Sequence, residues 1–306
     1  MAIPSISLAY RRSALMTATK VTSKPPSEEV LKAREDFKDF CTVMGKPPAK
    51  HMREWHQQLC TGKDSECLLG IAGPNTAILA PRGSAKSTVL GLYAAWMIGR
   101  HAAAKQMLRI LYIAYMVDIS RAKSATIKGI LTSPKYREIF PMVRLSKIKR
   151  SDEYWSIDYE FAGIDTAGEE AFTIACGGLK GAITSKRSQL VLIDDPIKSA
   201  ASINNPDIRR EMEQTWSNVI APTMFQGARA ICLGTRFHFD DIHATLFVPK
   251  NNWTQIVQKA VITDADGRQR SYWPEFWSMK YLNERKLEDR VAFAYQYLNH
   301  LVLERD

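Results

Sequence analysis

A lysine and a serine close a short loop of a kind that holds phosphate. The eight residues Pro81 to Thr88 read PRGSAKST, and they join an apolar segment, Asn75 to Leu79, to a helical pattern from Val89 to Arg100. Backbone N–H groups in such a loop and a helix N-terminus can bind an anion, while Lys86 can meet the β and γ phosphates of a nucleotide and Ser87 can ligate Mg²⁺. The pattern therefore indicates an NTPase.

The loop departs from the strict phosphate-binding pattern at two positions. Counted back from Lys86, Ala85 and Ala80 stand where glycine is usual. An ordinary turn is therefore the alternative interpretation of the loop taken alone. We predict nucleotide contacts along its whole length, from Pro81, Arg82, Gly83, Ser84, Ala85, Lys86, Ser87 and Thr88.

Two adjacent carboxylates end an apolar segment farther along the chain. Leu190 to Ile193 is followed directly by Asp194 and Asp195, which is typical of the metal-binding strand of an NTPase with such a loop. Asp194 can anchor Mg²⁺ through water, and Asp195 can orient the attacking water. The alternative is a buried strand with an acidic turn closed by Pro196. Neighbouring acids are costly unless a cation or water compensates them, and magnesium would supply that cation.

An aromatic residue and a glutamine lie just upstream of the loop. Trp55 and Gln57 belong to a helical stretch from Met52 to Leu59. In many motor ATPases an aromatic ring at this place stacks on adenine, and a glutamine amide reads the edge of the base. An amphipathic helix with Trp55 in the core is the alternative interpretation.

Composition limits the class of protein. The chain has 306 residues, 45% of them hydrophobic, and a formal net charge of +10, so it can bury a core and favours a polyanionic partner, nucleic acid first. An even spread of lysines would give the same total without a binding face. No apolar run is long enough to cross a bilayer, so we expect no membrane association. Five cysteines without a CxxC pair indicate a reducing compartment.

Alternating segments predict an α/β fold. Strands at Asn75 to Leu79 and Arg109 to Tyr115 alternate with helices, which implies right-handed crossovers and a mostly parallel central sheet flanked by helices. Other expected elements are a helix from Ser27 to Val43, β hairpins over Glu153 to Ile174, strands at Leu190 to Ile193, Ala230 to Leu233 and Gln255 to Ile262, and C-terminal helices Met279 to Arg285 and Asp289 to Leu298. We expect residues 1–26 to form a basic, disordered arm, with a transit peptide as the alternative, and residues 27–306 to form one domain.

Four segments together resemble the ATPase half of the large terminase subunits of tailed bacteriophages. They are PRGSAKST at Pro81 to Thr88, GAITSKRSQLVLIDDP at Gly181 to Pro196, LGTRFHFDD at Leu233 to Asp241 and YWPEFW at Tyr272 to Trp277. The resemblance covers most of the chain. It implies a P-loop ATPase of the additional-strand (ASCE) type with β-hairpin and C-terminal helical additions.

The resemblance also implies an activity and partners. Such proteins form homo-oligomeric rings, expected here to be pentamers, in the host cytoplasm and transiently at the procapsid portal. They use ATP and Mg²⁺ to drive double-stranded DNA inward, together with a portal protein and a small terminase subunit. Two other functions stay open, namely a helicase-like or repair DNA-dependent ATPase and a nucleotide-binding module that has lost hydrolysis.

Individual positions match the family's motifs. Lys86 and Ser87 match the phosphate and magnesium contacts, and Arg82 matches a basic residue inside the loop. The remaining matches are the magnesium carboxylate, the catalytic carboxylate, the coupling motif and an arginine that acts on a neighbour's ATP, at Asp194, Asp195, Thr235 and Arg187 in that order. A solvent-facing charge is the alternative for Arg187.

Two departures from the family are apparent. Many ATPases of this class have Glu where this chain has Asp195, and Asp is one methylene shorter, so the attacking water would have to sit closer. Complete large terminases continue into an RNase H-like nuclease, whereas this sequence stops where that domain would begin. We therefore expect no nuclease activity from this chain, and a nuclease domain or separate nuclease chain as a partner.

Overall fold

The computed structural model describes residues 25–60, 74–180 and 186–300. The predicted N-terminal arm lies outside these ranges up to residue 24, as does the beginning of the second motif at residues 181–185. Within the described ranges, no helix has the length and apolar character that crossing a membrane would require.

A large twisted sheet forms the centre of the protein. The strands of the described residues are β1 (Asn75–Leu79), β2 (Ile110–Ala114), β3 (Leu145–Arg150), β4 (Tyr154–Ile157), β5 (Ile174–Gly178), β6 (Ser188–Asp194), β7 (Met224–Gly234), β8 (Trp253–Val257), β9 (Val261–Thr263) and β10 (Gln269–Ser271). Eight of them form one sheet in the order β3-β4-β5-β2-β6-β7-β1-β8, and β9 and β10 form a separate ribbon. In this spatial order, every pair of neighbouring strands from β5 through β2, β6, β7 and β1 to β8 is parallel. The strands β3 and β4 pair antiparallel. The predicted mostly parallel α/β fold is confirmed.

Helices cover both faces of this sheet. Their bounds are α1 (Glu28–Glu35), α2 (Phe37–Val43), α3 (Arg53–Leu59), α4 (Lys86–Ala103), α5 (Val117–Thr132), α6 (Pro134–Ile139), α7 (Tyr159–Ala162), α8 (Pro206–Gln214), α9 (Ile242–Thr245), α10 (Met279–Glu288) and α11 (Arg290–Leu298). Successive residues of a strand point to opposite faces. On β6, Leu190 and Leu192 accordingly face the core under α4, while Val191 and Ile193 face the core under α8. The near-continuous apolar sequence of β6 follows from this double burial.

Three predicted elements differ from the structure. The helix expected from Ser27 to Val43 is two helices, because the backbone of Asp36 is extended and its side chain caps α2 by accepting from the N–H groups of Lys38 and Asp39. The region expected to form hairpins contains β4 and the short helix α7, and the hairpin partner β3 lies before it. The single strand expected at Gln255 to Ile262 is divided between β8 and β9.

A small third core joins the C-terminal elements. Ala260, Tyr272, Leu282 and Phe293 are buried together, and the β9–β10 ribbon, α10 and α11 surround them. This unit follows β8, the strand that pairs with β1, so it lies on the side of the sheet where β1 ends. It therefore adjoins the loop between β1 and α4.

Candidate nucleotide-binding site

The loop after β1 turns tightly into α4. Two of its residues are left-handed, Gly83 with φ 78° and Ala85 with φ 62°. An L-residue pays about 1–2 kcal/mol for that conformation, so Ala85 keeps the conformation usual for glycine at a cost. The alanine departure noted in the sequence therefore does not prevent the loop from turning into α4 at Lys86.

Hydrogen bonds close the loop internally and fix it to two other elements. The hydroxyl of the buried Ser84 donates to the Pro81 carbonyl at 2.6 Å, which closes the turn internally. The backbone N–H of Ala80 donates to the carbonyl of Gly234 at the end of β7, and that of Arg82 donates to the carbonyl of Gln296 in α11. The loop is thus held by the sheet on one side and by the C-terminal unit on the other.

The ammonium group of Lys86 is buried at the centre of the site. Its Nζ donates to the carbonyls of Ala80 and Pro81 at 3.3 and 3.2 Å and to Oγ1 of Thr235 at 3.0 Å. It also lies 3.6 Å from Oδ1 of Asp195. A cation held among these oxygens at the base of the loop is positioned to meet an anion.

Asp194 is buried beside α4 with its two oxygens partnered. Ser87 donates its hydroxyl to Oδ1 at 2.9 Å, and Tyr112 donates its hydroxyl to Oδ2 at 3.0 Å. Burial raises the pKa of Asp194, and the neighbouring charge of Asp195 raises it further, while the hydrogen bond from Ser87 opposes both. Such a carboxyl gains from a nearby cation.

The position of Tyr112 was not predicted from the sequence. Ala114 at the end of β2 lies directly beside Asp194, and Tyr112 comes two residues earlier on the same face of the strand. Its hydroxyl therefore points along the edge toward the carboxylate. This contact depends on the β2–β6 register, which no local sequence pattern shows.

Ser87 and Asp194 suit a magnesium ion. Both offer oxygen, the donor that Mg²⁺ prefers, and Mg²⁺ typically takes one or two protein ligands together with phosphate oxygens. Within the described ranges, no group of three or more His, Cys, Asp or Glu side chains could form an all-protein cage. The adjacent hydroxyl and buried carboxylate fit an ion that is shared with a phosphate.

Asp195 is more open than Asp194. About half of its side chain is exposed (47%). Its backbone is left-handed with φ 41°, and its N–H donates to the carbonyl of Leu233 at 2.8 Å. This conformation turns the carboxylate toward Lys86, so the two adjacent acids have different surroundings and can serve different purposes.

Thr235 connects β7 to the phosphate-type loop. It is 4% exposed, and its Oγ1 donates to the Ala80 carbonyl at 3.1 Å while accepting from Lys86. The turn that follows is closed by the buried Asp241, which accepts from the backbone N–H groups of Phe237 and His238 and pairs with the guanidinium of Arg236 at 2.9 Å. The motif LGTRFHFDD contains Asp241, but its part in closing the turn was not predicted.

The predicted adenine contact of Trp55 does not agree with the structure. Its ring is 0% exposed and packs in the main core with residues of α2 and α4. A fully buried ring has no free face for a base, so the alternative interpretation of Trp55 is the correct one. Gln57, on the same helix, is exposed.

The two predicted arginines occupy very different places. Arg82 is exposed in the loop itself. Arg187 is exposed just before β6, with its guanidinium carbon 5.9 Å from the ring centre of Phe225. Asp194 is the last residue of β6, and Arg187 precedes the first. At about 3.3 Å per residue, Arg187 therefore lies about 23 Å from Asp194, at the opposite end of the same strand. The structure therefore brings together Lys86, Ser87, Asp194, Asp195 and Thr235 but leaves Arg187 apart.

Comparison with known proteins gives matches in fold. No protein-family model and no curated protein sequence matches the chain. Solved structures with a similar fold include large terminases of bacteriophages. That of bacteriophage HK97 has a TM-score of 0.50 and 15% identity over 89% of this chain and 55% of that chain.

Two further structures are similar to a lesser degree. A mutant ATPase domain of the Thermus phage P74-26 large terminase has a TM-score of 0.49 and 15% identity over 86% of this chain and 98% of that chain. The large terminase of a thermophilic bacteriophage in complex with ATP-gamma-S has a TM-score of 0.44 and 12% identity over 91% of this chain and 53% of that chain. The chain thus spans about half the length of the HK97 protein and of the ATP-gamma-S complex. At 15% identity and a TM-score of 0.50, the comparison with the HK97 protein supports the fold alone.

Proposed function

We propose that the chain is an ATP-hydrolysing motor domain that moves double-stranded DNA during phage genome packaging. One observation carries the ATPase part. Lys86 and Ser87 begin α4, which follows β1. They contact Asp195 and Asp194, which lie at the C-terminal end of another strand, β6. A phosphate-binding loop and two carboxylates, both at the C-terminal ends of parallel strands, are the groups that phosphoryl transfer to water requires.

Each group has a chemical task in this proposal. Lys86 and the loop N–H groups hold the β and γ phosphates, and Ser87 and Asp194 would hold Mg²⁺. The ion, when bound, supplies positive charge to the phosphate oxygens. Asp195 accepts a hydrogen bond from the attacking water and orients it. Thr235, which bonds to Lys86, is positioned to relay the state of the phosphates to the turn after β7.

Phosphate release with Lys86→Ala tests the ATPase part. Removing the cation that meets the phosphates should lower turnover by orders of magnitude. Lys250→Ala is a matched control, because that exposed lysine precedes the N-terminal end of β8, whereas the site lies at the C-terminal ends of the parallel strands. Equal rates for the parent and Lys86→Ala would show that the site is misassigned.

Substitution of the two carboxylates should impair two different steps. Asp194→Ala should weaken binding of Mg·ATP, whereas Asp195→Asn should keep ATP bound and stop turnover. Equal loss of binding in both variants would refute this division. Asp195→Glu asks whether the shorter side chain limits the rate.

A basic surface at the far edge of the sheet supports DNA as partner. Residues 135–150 contain six Lys or Arg and a single acid, Glu138. We call these six the basic edge: Lys135, Arg137, Arg144, Lys147, Lys149 and Arg150. None of them forms an ion pair with a carboxylate in the described part of the chain.

Four residues of the basic edge line two adjoining grooves. Arg137 and Arg144 line a groove of about 500 Å³, and Lys149 and Arg150 line a second of about 280 Å³; Leu145 borders both. The outer strand β3 has Ile148 exposed at 91%, between Lys147 and Lys149. Cations along two adjoining grooves suit a phosphate backbone. The outer strand β3 lies four strand positions from β6, which is about 19 Å across the sheet.

Binding of short duplexes tests the DNA part. Lys147→Ala/Arg150→Ala should weaken binding for unrelated sequences alike, and it should lower the salt slope by about 0.9 for each DNA phosphate that the variant no longer neutralises. Lys280→Ala/Lys286→Ala removes the same charge from exposed positions of α10 and is the control. Equal weakening by both pairs would mean that only total charge matters, and a strong sequence preference would contradict a translocase.

We further propose a ring, expected to be a pentamer, that works with a portal protein and a small terminase subunit. Arg187 is too far from its own Asp194 to act there, which is compatible with action on a neighbour's ATP. Arg187→Ala should bind ATP but hydrolyse it slowly, and mixing it with Lys86→Ala should restore some activity. Absence of rescue in proven mixed assemblies would return the role to Arg82 or another arginine.

A further inference from the structure

Five partly exposed aromatic residues form a cluster beside the phosphate-type loop. They are Trp273, Phe276, Trp277, Tyr281 and Tyr297, and we call them the aromatic cluster. Trp273 stacks on Phe276 with ring centres 4.8 Å apart, and Phe276 meets Trp277 edge to face at 5.0 Å. Trp277 in turn lies 4.8 Å from Tyr281 and 5.9 Å from Tyr297. The rings come from the turn before α10 and from both C-terminal helices.

This cluster touches the loop directly. A Cβ built on Gly83 would lie 2.7 Å from Cζ2 of Trp277, so the indole covers the loop at its left-handed glycine. The adjacent Arg82 donates its backbone N–H to Gln296, the residue before Tyr297. The cluster and the phosphate-binding backbone are therefore fixed relative to each other at two consecutive loop residues.

Exposure distinguishes the cluster from the other rings near the loop. Phe276 is 61% exposed, whereas Trp55 is 0%, His51 9% and Tyr272 4% exposed. An aromatic ring binds a flat base only through a free face, and stacking favours aromatic surfaces that hold such a face open. Among the aromatic groups of the described residues that pack around the loop, Phe276 best meets this condition.

We propose that Phe276, supported by Trp273 and Trp277, is the surface on which the base of the bound nucleotide stacks. The inference rests on the proposed ATPase, since it takes the triphosphate to lie in the loop at Lys86. A stack reads the flat face of a base and makes no hydrogen bond to its edge. Phe276 therefore contributes affinity for ATP and GTP alike and does not by itself select adenine.

Binding of a ligand without a base separates this role from loop support. The equilibrium dissociation constants of Mg·ATP, Mg·GTP and Mg·tripolyphosphate are measured by calorimetry. Phe276→Ala should raise the constants for both nucleotides about tenfold and leave that for tripolyphosphate unchanged. Phe276→Trp retains a ring and should keep nucleotide affinity. Phe239→Ala is the matched control, because Phe239 is 56% exposed, follows β7 at the same edge of the sheet and stacks on His238.

Each outcome has a defined meaning. Equal weakening of all three ligands by Phe276→Ala would mean that the ring only supports the loop, and unchanged constants would mean that the base lies elsewhere; both overturn the proposal. The same nucleotide-selective loss in Phe239→Ala would also overturn it. A parent protein that binds none of the three ligands would refute the phosphate site itself, whereas Lys86→Ala should weaken all three.

Discussion

Two aromatic segments flank the phosphate-type loop, and they differ in burial. Upstream, His51 and Trp55 are 9% and 0% exposed. Downstream, Trp273 and Trp277 are partly exposed and Phe276 is 61% exposed. His51 joins the two sides, because its ring packs against Trp55 at 5.4 Å and against Trp273 at 4.8 Å. Similar residue types thus serve as core on one side and as a candidate binding surface on the other.

The largest expected effect is on the upstream side. Trp55→Ala should lower the free energy of unfolding by about 3–5 kcal/mol, since it empties a fully buried site in the main core. Phe276→Ala should change it by less than about 0.5 kcal/mol, because the ring is mainly exposed. Denaturant unfolding of both variants measures the contrast. Similar losses would mean that the downstream segment is also core.

A smaller effect concerns pH and the histidine between the segments. Burial lowers the pKa of His51 to about 4 from 6.5, against the opposing influence of the Ser84 backbone and of Glu275. The unfolded chain therefore binds more protons between pH 6.5 and 4, so stability is full above this window and falls as the pH decreases through it.

His51→Phe isolates this contribution. The loss of stability due to His51 is up to about 3 kcal/mol at pH 4. His56, His101 and His243 have a pKa lowered to about 4 in the same way, so the parent should lose more than this in total. Across this pH window, the free energy of unfolding should fall less steeply for His51→Phe than for the parent, by the amount that His51 contributes. Identical pH profiles would contradict burial of a neutral ring at this position.

The smallest effect compares two loop positions that have the same backbone conformation. Gly83→Ala should destabilise by about 1–2 kcal/mol through its left-handed backbone alone, and its Cβ would also push against Trp277. Ala85→Gly relieves the same strain, but the greater freedom of glycine when unfolded offsets about 0.4–1 kcal/mol, so the net gain should be at most about 1.6 kcal/mol. Thermal unfolding of the two variants measures whether each substitution raises or lowers stability. For Gly83→Ala, a loss no larger than about 2 kcal/mol would mean that Trp277 does not resist the added Cβ, and no loss at all would also contradict the left-handed backbone of Gly83.

Local patterns predicted most of the fold. Apolar runs bounded by turn residues located β1, β2 and β6, and helical spacing located α4 and α5, because both periods depend only on neighbours in the chain. The break at Asp36 and the division of β8 from β9 were missed, since each depends on a cap or on the choice of sheet partner.

The grouping of the candidate site residues could be predicted where it follows from spacing along the chain, and it was missed where it follows from packing. Lys86 and the two carboxylates could be found because a loop and a strand end carry them. The burial of Trp55 depends on α2 and α4 closing over it, and the contact of Tyr112 with Asp194 depends on strand register. The aromatic cluster depends on residues far apart in sequence folding back onto Gly83.

The contacts of Lys86 have a further consequence. Its ammonium group is shared among two carbonyls, Thr235 and the carboxylate of Asp195. A phosphate that draws this ammonium toward itself must take it from those oxygens, so arrival of the ligand and release of Asp195 are one exchange of partners. A carboxylate that gives up its cation becomes a better acceptor for a water hydrogen. In the proposed ATPase, the readiness of Asp195 to orient water would thereby be tied to the presence of a phosphate for that water to attack.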